Sequence, residues 1–293
     1  MAKSKGMTFG HDCAVKMNGN VVTAVSEDFS SKPEFNEPGA AMIASRHPQL
    51  GRLTVMKKDI SGTLTFHPSY AEYEKLLDCF FDGSSSTWTP ADDTNGKQFT
   101  IVIDRDNSKI FTYAASTCNT FRISCSENNP VQVEMECLGT TEASSGAVAA
   151  VTQASPMIMS DSTLSFSSDD DGTFSEYFAK GFTIECTENK AERFHNSITR
   201  SSTAGGTFEC KGSVDLDLNS DNWTDLYSKL NSATDVQFKV VLTDGATTFT
   251  HTMTEVALTS PTPSIGSDGE VDYSLEYKAY KPSSGDEISI AKT

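Results

Sequence analysis

One feature constrains this chain more than any other: its sequence reads as one pattern written twice. Gly62-Thr63-Leu64-Thr65-Phe66 precedes an apolar stripe with Tyr73, Leu76 and Leu77. Gly212-Ser213-Val214-Asp215-Leu216 precedes Trp223, Leu226 and Tyr227 at a constant offset of 150. Further on, Phe99 matches Phe238 and Val131 matches Val271, at offsets of 139 and 140. One indel of about ten residues accounts for the change. It falls where the first copy carries the Gly-, Ser- and Thr-rich stretch Gly83–Lys97 and the second has only Asn231–Val236. A repeat of this kind has to be recognised before any single fold is fitted to the whole chain.

The local texture is β. Val131-Gln132-Val133-Glu134-Met135-Glu136-Cys137-Leu138 and Val271-Asp272-Tyr273-Ser274-Leu275-Glu276-Tyr277 alternate with period two, the pattern of half-buried strands. Gln98–Asp104 reads as a further strand, and Phe238–Thr250 as a hairpin turning near Asp244-Gly245. Two stretches read as helical. Ser69-Tyr70-Ala71-Glu72 is a capping box ahead of Tyr73, Leu76, Leu77 and Phe80. The second helix is expected over residues 220–230. Each copy then runs strand, strand, helix, loop, hairpin, connecting strand (Phe121–Ser124; Val256–Thr259), turn and final strand. The expected organisation is a first domain over 1–140, an Ala/Ser/Thr/Gly-rich linker over 141–160 and a second domain over 161–293. Irregular segments at Ser30–Lys58 and Thr187–Gly206 occupy the same place in each copy, and read as contacts with another subunit.

The chain has 293 residues, with 23 Lys and Arg against 40 Asp and Glu, a net charge of −17. Gripping a nucleic-acid backbone or an anionic membrane surface takes Lys and Arg, so both readings are disfavoured. No apolar run is long enough to cross a membrane as a helix. Lys3 and Lys5 are not followed by the apolar core of a signal peptide, so the protein is expected to stay in the cytoplasm where it is made. Seven cysteines with no C-x-x-C argue for reduced, buried thiols rather than disulfides or zinc.

The ordered set of these elements resembles the major tail tube proteins of long-tailed bacteriophages, over roughly residues 20–140 and 160–281. The run Ile60–Phe66 leading into Tyr70–Leu77 carries the likeness. So does the C-terminal stretch with Gly269-Glu270-Val271 and a terminal strand ending in Ala279-Tyr280. The resemblance implies a mainly β fold: two tandem copies of a β-sandwich or split-barrel domain, each flanked by one α-helix. It implies stacked rings around a lumen, with three duplicated chains giving pseudo-six-fold symmetry. The implied partners are other copies of the chain and tail proteins such as tape measure, terminator and tail-tip proteins. DNA passes through without specific binding, and no membrane is involved. The implied location is the virion tail, with assembly in the host cytoplasm. Glu134, Glu136, Asp272 and Glu276 are the candidates for lining an acidic lumen that repels DNA. The alternatives are a tandem β-sandwich binding module on a virion or cell surface, or a non-polymerising terminator or baseplate ring.

Signals for chemistry are sparse, and no catalytic, cofactor-binding or metal residue is assigned. His11, His47, His67, His195 and His251 are scattered, and no nucleophile, phosphate-loop or dinucleotide motif follows a strand. Asp169-Asp170-Asp171-Gly172 lacks the closing Glu of a calcium loop and reads as a turn, as does Asp104-Arg105-Asp106-Asn107. The sequon at Asn222 falls in an expected helix and carries no weight. Arg193, His195 and Arg200 form the nearest thing to a basic patch; they read as a solvated loop, with pairing to acidic residues of the next ring as the sharper alternative. A glycan site needs exposed aromatics on loops, and Trp88 alone is expected in one.

Overall fold

In a computed structural model the described residues are 14–36, 54–91, 97–105, 109–146, 148, 154–167, 173–217, 226, 235–265 and 271–293. The first half runs Ala14–Met17 (β1), Asn20–Val22 (β2), Ala24–Glu27 (β3), Ser30–Asn36 (β4) and Thr54–Phe66 (β5). The helix Tyr70–Phe80 (α1) follows, then Asp82–Ser84 (β6), Thr87–Thr89 (β7), Gln98–Asp104 (β8), Ile110–Ser126 (β9), Gln132–Gly139 (β10) and Thr141–Ala143 (β11). The second half runs Ser162–Ser167 (β12), Ser175–Tyr177 (β13), Ala179–Thr187 (β14), Ala191–Arg193 (β15), Ser202–Ala204 (β16) and Glu209–Asp217 (β17). It closes with Val236–Thr243 (β18), Thr248–Ile265 (β19), Val271–Ala279 (β20) and Ser289–Lys292 (β21). The fold is mainly β, as the alternating patterns require, and among the described residues the strands named above pair antiparallel.

The order of pairing is the same in both halves. In the first, β1 pairs β8, β8 pairs β9, β9 pairs β10, β10 pairs β5, and β5 pairs β3 and β4. In the second, β12 pairs β18, then β19, β20, β17 and β14 follow in turn. The registers agree with the sequence offsets. Leu64 lies opposite Met135 as Val214 lies opposite Leu275, and Phe121 lies opposite Met135 as Pro261 lies opposite Leu275. Irregularities recur too: the shift between Ala24 and Ser26 has its counterpart between Ala179 and Gly181.

The halves are joined by β9. Its first part pairs β8, but its second part exchanges that partner for β14, with Arg122 opposite Glu185 and Ile123 opposite Ile184. The result is one continuous sheet in the order β3/β4, β5, β10, β9, β14, β17, β20, β19. The hairpin strand and the connecting strand expected to be separate are a single strand in both halves, because a bulge at Asn119 or Thr259 absorbs the bend without ending the ladder.

Helix α1 starts as its capping box dictates. The Ser69 hydroxyl accepts the Glu72 N–H, and the Glu72 carboxylate accepts the Ser69 N–H and O–H. Its apolar face buries Tyr73, Leu76, Leu77 and Phe80 over both halves. Phe80 stacks near Phe121 of β9, and Tyr73 meets Phe249 of β19 edge-on, with centroids 5.0 Å apart. The expected second helix lies outside the described residues except for Leu226, which is buried. Within Gly83–Lys97 the structure corrects the expected loop: β6 and β7 form a short hairpin, and β7 pairs β21 from the far end of the chain. Trp88 is therefore a core residue, fully buried, with its indole N–H donating to Asp78 Oδ1 at 2.8 Å. Two parts of the segment 141–160 are packed: β11 pairs β9, and buried Met157 donates its N–H to the Pro68 carbonyl and accepts from the Val131 N–H.

The glycine shared at offset 150 has a steric reason. A Cβ on Gly212 would overlap the Thr183 carbonyl and the Tyr277 hydroxyl, which donates to that carbonyl at 2.9 Å. At Gly62 the backbone of Phe29 fills the same space. Gly212→Ala is expected to destabilise the fold by about 1–3 kcal/mol through overpacking. Denaturant titration tests this, and an unchanged midpoint would refute the steric reason for the glycine.

Candidate functional site: a continuous polar sheet face

Period-two alternation sorts the side chains of the continuous sheet onto two faces. Leu64, Met135, Ile123, Ile184, Val214 and Leu275 are buried on one. On the other lie Thr63, Thr65, Glu134, Glu136, Thr120, Arg122, Thr183, Glu185, Lys211, Ser213, Glu276 and Lys278. The pairing across β9 and β14 lets this polar face run without a break through both halves.

The charges form a cross-strand row. Glu134 lies opposite Arg122, Arg122 opposite Glu185, and Glu185 opposite Lys211. Lys211 Nζ is 3.2 Å from Glu185 Oε1, and Lys278 Nζ is 3.1 Å from Glu209 Oε1. Pairs this exposed are worth at most about 1 kcal/mol each, so they orient the face more than they hold it. Among its described residues the carboxylates Glu34, Asp59, Glu134, Glu136, Glu185, Glu209, Asp215 and Glu276 outnumber the cations Lys32, Lys57, Arg122, Lys211 and Lys278. Shallow depressions between the side chains are lined by Thr120, Arg122, Glu134, Glu136 and Glu185, and by Lys211, Ser213 and Glu276. The described surface is hydroxyl-rich and carries a negative balance.

A family model described as phage tail tube protein matches residues 41–279. The chain belongs to the phage tail tube family. A comparison with curated proteins finds no match.

The tail tube reading singled out four acidic residues, and the structure places three side chains. Glu136 and Glu276 are exposed and Glu134 is half-buried, all on the polar face. The Asp272 side chain lies outside the described residues, while its backbone sits between those of Asp217 and Ser264.

The basic patch is not one. Arg193 and His195 are exposed, but Arg200 is buried, and its partners lie in its own chain rather than in a neighbouring ring. Its Nη1 donates to the carbonyls of Ile60 and Gly139, and its Nη2 to Asp59 and Glu192. No residue near Arg200 signals this, because the carbonyls belong to β5 and β10 of the other half.

The Asp169–Gly172 cluster lies outside the described residues, as do Asp106 and Asn107. Arg105 holds Glu27 with two hydrogen bonds of 2.7 and 2.8 Å. Among the described residues no three His, Cys, Asp or Glu side chains are grouped to hold a metal ion, and no helix is long and apolar enough to cross a membrane.

His251 is buried against α1. Its Nδ1 faces the Val240 carbonyl at 3.3 Å and its Nε2 the Tyr73 hydroxyl at 2.6 Å. Burial pulls its pKa down to about 4, so the ring is neutral at pH 7 and serves packing. The six described cysteines are free and buried, and Cys186 and Cys210 face each other with sulfurs 3.6 Å apart. Burial pushes the Cys125 thiol up to about 11, away from the reactive thiolate.

Proposed function

We propose that this chain is the repeating subunit of a phage tail tube, with no catalytic role. It assembles into stacked rings whose lumen is lined by the polar face. Each chain supplies two copies of one domain, over 1–140 and 161–293, and three chains give a ring of pseudo-six-fold symmetry. The observation that carries this reading is the continuous sheet spanning both halves, with one face in the core and the other polar and net acidic. Family membership supports it independently.

Such a wall suits the passage of DNA. Carboxylates repel the phosphate backbone, hydroxyls stay hydrated, and too few cations are present to grip it. The partners are other copies of the chain and the tape measure, terminator and tail-tip proteins, in the virion and, during assembly, in the host cytoplasm. Trp88, the loop aromatic that the sequence offered for a glycan-binding reading, is buried, while Phe178 between β13 and β14 is exposed.

Negative-stain microscopy of concentrated protein, alone or seeded with a tail-tip complex, is expected to show rings or hollow tubes. Strictly monomeric protein under all conditions, together with glycan binding, would overturn the proposal.

A further inference from the structure

Two thiols face each other in the core between β14 and β17, and we propose that they are a modification site. Cys186 and Cys210 close into a disulfide when the chain meets an oxidant of the glutathione disulfide class. This goes beyond the tail tube reading, which supplies only the occasion for it.

The backbone sets the geometry. Cys186 of β14 lies directly opposite Cys210 of β17. The Lys180 carbonyl accepts from the Glu127 N–H, and the Glu188 N–H donates to the Asn119 carbonyl. Even-numbered residues of β14 therefore turn their backbone groups to β9, and Cys186 turns none to Cys210. The two cysteines form a non-hydrogen-bonded antiparallel pair, the closer kind, with Cα atoms about 4.5 Å apart. Disulfides span about 4.4–6.8 Å between Cα atoms, so the strands need not move. The side chains already converge, with sulfurs 3.6 Å apart and both residues buried. Side-chain torsion alone brings them to bonding distance.

Other cysteines lack this arrangement among the described residues. Cys118 also lies opposite Cys137, but the bulge at Asn119 interrupts the ladder there, and Cys118 Sγ is 3.1 Å from the Thr120 carbonyl. Cys125 lies opposite Phe182, and Cys79 is on α1.

The segment that the bond would close has a task. Cys186 and Cys210 are 24 positions apart in the chain, and β15 and β16 lie between them. That segment grips the first half. Lys190 donates its N–H to Asn119 Oδ1 at 2.8 Å and its ammonium to the Cys118 carbonyl at 2.6 Å. Arg200 reaches the Ile60 and Gly139 carbonyls. The disulfide fastens the base of this clasp, and cross-linking a loop of this length restricts the unfolded chain.

The step is a thiol–disulfide exchange. The thiolate of one cysteine attacks a sulfur of glutathione disulfide and expels one glutathione thiolate. The second cysteine, deprotonated in turn, attacks the mixed disulfide and expels the other. One disulfide is formed and one is consumed, and the two cysteine protons end on the two glutathione thiols. Burial pushes the Cys186 thiol well above its ordinary value, so the closed fold reacts slowly and the bond forms as the chain folds or the site opens. Reduced glutathione in a cytoplasm keeps the pair open, and on the tail tube reading a released virion leaves that pool.

The full chain made in a bacterial host with disabled thiol-reducing systems is compared with the chain from an ordinary host. The oxidising host is expected to yield protein about 2 Da lighter, with a Cys186–Cys210 cross-linked peptide. Alkylation after denaturation is expected to count five thiols there, two fewer than the seven of the sequence. The denaturant midpoint is expected to rise with the bond and fall back on adding dithiothreitol. Hydrogen exchange at the Lys190 amide is expected to slow. C210A from the oxidising host is expected to keep all its remaining thiols. Native protein held with glutathione disulfide in sub-denaturing urea gives the same readouts by a second route. Seven free thiols by both routes, a bond between other cysteines or a lasting glutathione adduct would overturn the proposal. A bond that leaves the midpoint and the exchange unchanged would overturn the clasp. These readouts need no ring, so a failure of the tail tube reading is seen separately, by microscopy.

Discussion

Arg200→Ala is expected to lower stability by about 3 kcal/mol, seen as a drop in the denaturant midpoint with little change in slope. The Arg200 side chain has no exposed surface, and its donors reach across the halves. Removing it strips the Ile60 and Gly139 carbonyls of a donor, takes the Arg200 cation from Asp59 and leaves Glu192 only Lys57 Nζ at 3.8 Å. Those carboxylates retain 23% and 29% exposure, so water softens the loss and the lower end of the range for breaking a buried pair applies. The Nε of Arg200 has no partner, which already sets a cost against the network. Lysine does not rescue, because an ammonium cannot present two nitrogens to carbonyls and carboxylates together. A loss below about 0.5 kcal/mol would place this arginine among ordinary surface substitutions and refute the account.

Charge reversal on the polar face is expected to act on DNA rather than on assembly. Glu136→Lys with Glu276→Lys moves the net charge of each chain from −17 to −13 at exposed positions. Glu136 loses only a 2.9 Å hydrogen bond from the Thr120 hydroxyl. Tubes should form at near-normal yield, retain DNA at low salt and slow its ejection several-fold. The effect should fade toward 1 M salt, where the screening length falls to about 3 Å. Equal ejection rates at 10 mM and 1 M salt, identical to those of the unaltered tube, would remove electrostatics from the account.

These expectations draw unequally on sequence and structure. Ser69 and Glu72 announce α1 because a capping box is complete within four residues. The hairpin at Asp244 is equally local: Asp244 Oδ1 accepts from the N–H groups of Ala246 and Thr247, and Gly245 takes a positive φ of 84°. The shared glycine at 62 and 212 and the alternating strands made the polar face readable, and with it Glu134, Glu136 and Glu276. What stayed hidden joins distant residues. Nothing near Arg122 signals that Glu185 will lie opposite, since pairing partners leave no periodicity in each other's sequence. Trp88 sits among glycines, serines and threonines that read as a loop, and only the arrival of β21 turns that stretch into a buried hairpin. Arg200 looked solvated because three of the groups that hold it, the Ile60 and Gly139 carbonyls and the Asp59 carboxylate, come from the other half of the chain.

The β7–β21 pairing has a consequence for synthesis on the ribosome. Trp88 lies opposite Ile290, and Lys292 Nζ reaches back to Glu74 of α1 at 2.7 Å. About 200 residues separate the two strands in the chain. At roughly 5–20 residues per second, the last strand is made some 10–40 s after the hairpin it completes. During that interval the Trp88 hairpin lacks one of its neighbours. The first half of the fold is therefore complete only when the last residues of the chain have been made.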